Sequence, residues 1–150
     1  MIFIRYENWK GYLKYFPLTS IFLIANVVMF IVLTVNGGST NNMVLLKFGA
    51  LTNYELFASE WWRYITSIFL HAGFSHLLFN SFALIVFAPP MERLLGSVRY
   101  GVLYLGGGVL GNILAVAWYN SVGSITISVG ASGAIYAVYG AFLYVALFQR

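Results

Sequence analysis

Cysteine is absent from the sequence, which removes disulfides, thiolate metal sites and a cysteine nucleophile together. Charge is scarce: Asp, Glu, Lys and Arg make up 8% of the 150 residues, against roughly 25% in soluble domains. With so little charge and 61% hydrophobic residues, the chain lacks the polar surface of a water-soluble globule. It is read as an integral membrane protein. Histidine occurs twice, fewer than the three or four protein ligands that zinc takes, so neither a metal nor another cofactor is expected. The net charge of +4 comes without a basic patch interleaved with aromatics, and nucleic acid is set aside as a partner. The excess is read instead as orientation in the bilayer.

What is there is a succession of apolar runs. Residues 1–16 mix bases with Tyr6, Trp9, Tyr12, Tyr15 and Phe16. They suit an interfacial segment, with rings at headgroup level, and equally a plain basic tail. The run from Pro17 to Val35 exceeds a signal-peptide core of about 7–15 residues and reads as an uncleaved span. Spans are expected at about residues 18–35, 64–87, 101–119 and 130–148. Asn26 in the first is read as helix–helix glue. Residues 36–63 are too polar to span and too apolar for a free linker. They are expected to form a short amphipathic helix or folded loop in the outer interface, ending in an aromatic belt of Trp61, Trp62 and Tyr64. The second span should stop at Pro89-Pro90, which cannot continue a helix. In the third, Gly107 and Gly111 permit close approach of another helix.

Charge then orders the spans. Arg5, Lys10 and Lys14 precede the first, Arg93 and Arg99 fill the turn between the second and third, and Arg150 follows the fourth. These lie on one side if four spans alternate, and that side should be cytoplasmic, with the N-terminus. Lys47 and Arg63, offset by Glu55 and Glu60, face outward.

Two stretches carry candidate chemistry. Gly130-Ala131-Ser132-Gly133 opens the last apolar run, and His71, His76 and Asn80 sit in or near the second. Polar side chains at membrane depth call for a reason. His76 and Asn80, four apart, share a helix face. His71, five before His76, would point about 140° away on a continuous helix. A serine at a helix N-terminus has unpaired N–H groups and a positive dipole end beside it, both suited to a developing oxyanion. A serine among glycines is also a common packing device, so spacing alone leaves Ser132 as nucleophile or as packing residue.

These motifs, in this order, resemble the rhomboid family of intramembrane serine proteases over nearly the whole chain. The family's Gly-x-Ser-Gly is matched by residues 130–133, with Gly140 where the family often keeps a further glycine. Its second-helix histidines and asparagine are matched by His71, His76 and Asn80, its first-loop Trp-Arg pair by Trp62-Arg63, and its Glu…Gly pair by Glu92 and Gly96. The resemblance implies an all-α polytopic bundle, of which residues 1–150 hold one membrane domain with the first four of six helices. It implies Ser132 as nucleophile, with its own N–H, His76 and Asn80 as oxyanion donors. His71, Trp62, Arg63, Glu92, Gly96, Gly130, Gly133 and Gly140 would be structural or supporting. Substrates would be transmembrane segments of membrane proteins, cut near the outer face, and the setting a bacterial cell membrane.

The departure is the base. The family's is a histidine on the sixth helix, and no histidine follows His76 here. Using His76 as base would leave the oxyanion site short of a donor. The 150 residues are therefore expected to be a fragment, incomplete at the C-terminus and inactive alone, of a protease. The rival reading is a non-catalytic relative that binds or handles transmembrane helices.

Overall fold

In lipid every backbone N–H and C=O must find its partner within the chain, so apolar runs of this length become helices. The computed structural model describes residues 7–148 and contains four long helices joined by short elements. Helix α1 (Trp9–Tyr15) is capped by Asn8, whose side chain accepts from the Gly11 N–H. Part of the segment read as interfacial, residues 1–6 with Tyr6 and Arg5, lies outside the described residues. Helix α2 (Pro17–Val35) starts on the proline, whose missing N–H costs nothing at a first helical position.

Among the described residues, three helices are long and apolar enough to cross a membrane: α2, α5 (Phe74–Leu95) and α6 (Ser97–Ser121). The fourth, α7 (Ser132–Phe148), is a shorter apolar helix of 17 residues. It rises about 26 Å, at the low end of what spans. Three helices rather than four thus meet the expected length.

The second span is the main correction. Helix was expected over 64–87, and α5 instead begins at Phe74 and runs through Pro89 and Pro90 to Leu95. Residues 63–73 are broken into α4 (Arg63–Thr66), a 3₁₀ turn (Ser67–Phe69), extended Leu70 and a turn at Gly73 with φ +87°. They are broken because other elements take their polar groups. Asn112 of α6 bonds the Tyr64 carbonyl, and Gly130 donates its N–H to the Ser67 carbonyl. At the far end, the prolines remove two donors from the ladder, which neighbouring helices make tolerable in a membrane helix.

Glu92 shows what that extra length of α5 is for. Its buried carboxylate accepts from the N–H groups of Leu18 and Thr19, the Thr19 hydroxyl and the Ser97 hydroxyl, at 2.7–2.9 Å. An anion at a helix N-terminus satisfies orphan donors and meets the positive dipole end. The start of α2, the end of α5 and the start of α6 are thereby tied at one side of the bundle.

The loop between α2 and α4 is folded, as expected. It holds α3 (Asn42–Lys47), capped by Asn41, and β1 (Leu51–Thr52). Unforeseen is β2 (Ile127–Ser128), which pairs antiparallel with β1 in the register Leu51↔Ser128 and Thr52↔Ile127. One core cluster joins Phe22, Ile68, Leu84, Tyr100, Tyr104, Ala134 and Val138; Phe22 stacks on Tyr104 at 4.3 Å. A second, of Leu33, Val44, Leu45, Ala50 and Leu70, sits under the loop. Asn26 is fully buried, while Ile21, Ile31, Phe79, Phe82, Leu114 and Leu147 point outward as a lipid-facing surface would.

Candidate active site

The site is set by how closely α6 and α7 approach. A Cβ added at Gly107 would stand 2.2 Å from that of Ala137, and one at Gly108 2.5 Å from Ile68 Cδ1. Added at Gly111, it would stand 3.5 Å from the Gly133 Cα. Glycine is thus required at 107, a side chain at 108 would push Ile68 aside, and Gly133 lies in the same seam. Since Gly111 is level with Gly133 and α6 continues ten residues to Ser121, the start of α7 lies about 15 Å below the end of α6. Residues 122–131 descend through that distance and bring the serine down among the helices.

Three contacts hold the descending loop where α7 begins. Gly130 donates its N–H to the Ser67 carbonyl at 2.9 Å, and Ala131 donates to His71 Nε2 at a long 3.5 Å. Gly130 has φ +121°, and a Cβ added there would stand 2.6 Å from Cε1 and Nε2 of His76 and 3.6 Å from Nδ2 of Asn80. Only glycine lets the loop lie against the His76–Asn80 face. The N–H of Ser132 comes next in the chain, in a first helical turn that offers it no intrahelical acceptor. Asn80 is buried, and its Nδ2 has no hydrogen-bond partner among the described residues. Such a donor is costly in an inert protein and useful where an anion is to form.

His71 stands elsewhere than the continuous-helix spacing suggests. It precedes α5 on the broken segment, so the 140° argument does not apply, and its ring meets that of His76 edge-on at 5.0 Å. It is fully buried, and burial, with His76 adding to it, holds its pKa down at about 4. Neutral at pH 7, it keeps a lone pair on Nε2 for the Ala131 N–H.

The remaining predicted residues are spread around the bundle. Arg63 is buried; its Nη1 donates to the carbonyls of Leu46 and Ala50 at 2.8 Å, its Nε pairs with Glu60, and its guanidinium lies 4.3 Å from the Phe57 ring centroid. It therefore organises the loop rather than merely flanking a membrane. Trp62 is exposed, edge-on to Trp61. Gly96, with φ +78°, makes the turn between α5 and α6, remote from the serine with Glu92. Gly140 faces open space. Sequence reasoning passed over Ser67 and Asn112. The available signal is a carboxamide inside a membrane helix directly after Gly111, the same kind of residue as Asn26 in the first span.

Comparison with known proteins gives a family model described as the Rhomboid domain, matching residues 58–150. "Putative rhomboid protease YdcA" of Bacillus subtilis (strain 168) is 39% identical over 151 residues, covering 99% of this chain and 72% of that protein. Rhomboid protease GluP of the same organism is 43% identical over 132 residues, covering 88% of this chain and 25% of the relative. RHOMBOID-like protein 9, chloroplastic, of Arabidopsis thaliana is 36% identical over 107 residues, covering 69% of this chain and 24% of its own length. The chain is thus much shorter than two of these three. With an apolar bundle of membrane-spanning length and this match across most of its residues, the chain belongs to the rhomboid family, whose fold is that of intramembrane serine proteases.

Proposed function

We propose that these residues form the nucleophile and oxyanion side of an intramembrane serine endopeptidase that cuts transmembrane segments of membrane proteins near the outer face. Ser132 Oγ attacks the scissile carbonyl carbon, and the carbonyl oxygen takes the negative charge of the tetrahedral intermediate. The Ser132 N–H, His76 and Asn80 stabilise that charge. Collapse expels the amine, leaving an acyl-enzyme for water to hydrolyse. The observation that carries this reading is the packing of Gly130 against both His76 and Asn80, which puts the donor face beside the serine loop.

The reaction also needs a base to take the Ser132 proton. His71 already accepts from Ala131, and His76 is assigned here to the oxyanion. In the family the base is a histidine on a sixth helix, and no histidine follows His76 here. The 150 residues alone are expected not to turn over. Orientation follows from charge: Lys10, Lys14, Arg93 and Arg99 lie at the side fixed by Glu92, which is assigned to the cytoplasm of a bacterial cell membrane, with the N-terminus.

The test is cleavage of a model transmembrane substrate in membranes by the protein read from its full coding sequence. Ser132→Ala should lower the rate by about a thousandfold or more; an unchanged rate sinks the reading. A second reading, a non-catalytic relative that binds transmembrane helices, is favoured by one observation: His71 Nε2 already accepts from the Ala131 N–H. It predicts that a substrate helix crosslinks near Ser132 and is never cut.

A further inference from the structure

The serine loop is held by a turn that is itself held from α6. Asn112 donates from Nδ2 to the Tyr64 carbonyl at 2.8 Å and to the Ser67 hydroxyl at 2.9 Å, which uses both N–H bonds of one amide nitrogen. Ser67, fully buried, then accepts the Gly130 N–H through its own carbonyl. Directly before Asn112, Gly111 lies against Gly133 at the start of α7. One turn of α6 therefore touches both things whose separation matters: the 64–67 turn by hydrogen bonds, and the first residues of α7 by van der Waals contact.

We propose that Asn112 is a positioning residue for the serine loop, fixing the Tyr64–Ser67 turn so that Ser67 fixes Gly130 against His76 and Asn80. This rests on the reading of Ser132 as nucleophile. The side-chain chemistry is specific. An amide supplies two donors without a charge, which suits a part-buried place between membrane helices. Leucine at the same position fills similar volume and donates nothing, and Gln restores the amide one methylene further out. With the Asn112 bonds gone, the Tyr64 carbonyl and Ser67 hydroxyl are free to return to local helical partners. The Ser67 carbonyl would then turn away from Gly130.

The experiment compares Asn112→Leu and Asn112→Gln with the parent protein in its full encoded length, reading amide hydrogen exchange over residues 127–133 beside substrate cleavage. For Asn112→Leu, exchange at Gly130 and Ala131 should quicken about tenfold while α2 is unaffected. Its kcat should fall by a similar factor with KM changed less than about twofold, because binding surfaces are untouched. Asn112→Gln should recover most of both. If Asn112→Leu fails to fold, Ser67→Ala, which removes only the hydroxyl acceptor, is read in its place with the same expected sign. Unchanged exchange over 127–133 in whichever variant folds overturns the proposal. Quickened exchange in a parent that cuts nothing leaves the positioning role standing and removes the protease reading.

Discussion

At the scale of single residues, Gly130 is the one on which the site depends most visibly. Replacing it by Ala asks a side chain to adopt φ +121° and to enter the 2.6 Å gap before His76. Backbone strain of about 1–3 kcal/mol is then added to a steric clash. Gly130→Ala should therefore abolish cleavage in the full-length protein more completely than it lowers thermal stability. Parent-like turnover would show that the loop does not lie on the His76–Asn80 face. Ser132, His76 and Asn80 stand out in the sequence as candidates because a hydroxyl, an imidazole and an amide are unusual within apolar runs, and their types suggest their chemistry. Asn112 and Ser67 were not, because their meaning is relational. An amide in α6 and a serine 45 positions earlier acquire a role only when the fold joins them.

At the scale of elements, adjacent glycines of α6 make opposite predictions. Gly107 abuts Ala137, whereas a Cβ at Gly106 would meet nothing within 4 Å. Gly107→Ala should separate α6 from α7 and destabilise the bundle by about 1–3 kcal/mol, as overpacking does. Gly106→Ala should be neutral or stabilise by up to about 1 kcal/mol through helix propensity. Melting of the two variants side by side in detergent reads this, and equal melting points would remove the seam from the account. The sequence predicted α2, α6 and α7 to within a few residues, since each is a nearly uninterrupted apolar run. It misjudged α5 at both ends for one reason. Whether residues 63–73 coil or break depends on Asn112 and Gly130, and whether a helix survives Pro89-Pro90 depends on the anchor that Glu92 provides on α2. Local pattern contains neither partner.

At the scale of the whole molecule, the distribution of charge is the readable quantity, and the lack of cysteine makes it testable. Single cysteines at Ser124, in the exposed turn after α6, and at Arg99, at the start of α6, should lie on opposite sides of the membrane. A membrane-impermeant maleimide added to intact cells should label Ser124→Cys and spare Arg99→Cys. The reverse pattern would invert the assigned orientation. The assigned sidedness rests on the positions of bases alone. The β1–β2 pair was not, because two-residue strands carry too little pattern to be seen before the loops are placed.

That small pair has a mechanical consequence. β2 ends two residues before Gly130, and the loop around β1 is further laced to the same stretch, since Asn53 bonds Asn120, the Ser124 carbonyl and the Thr126 N–H. The loop around β1 and the strand leading to the serine thus form one lever rather than two independent flaps. Displacing the loop around β1 would load Ile127 and Ser128 directly. Any such load is delivered to the end of the chain segment that leads into Ser132.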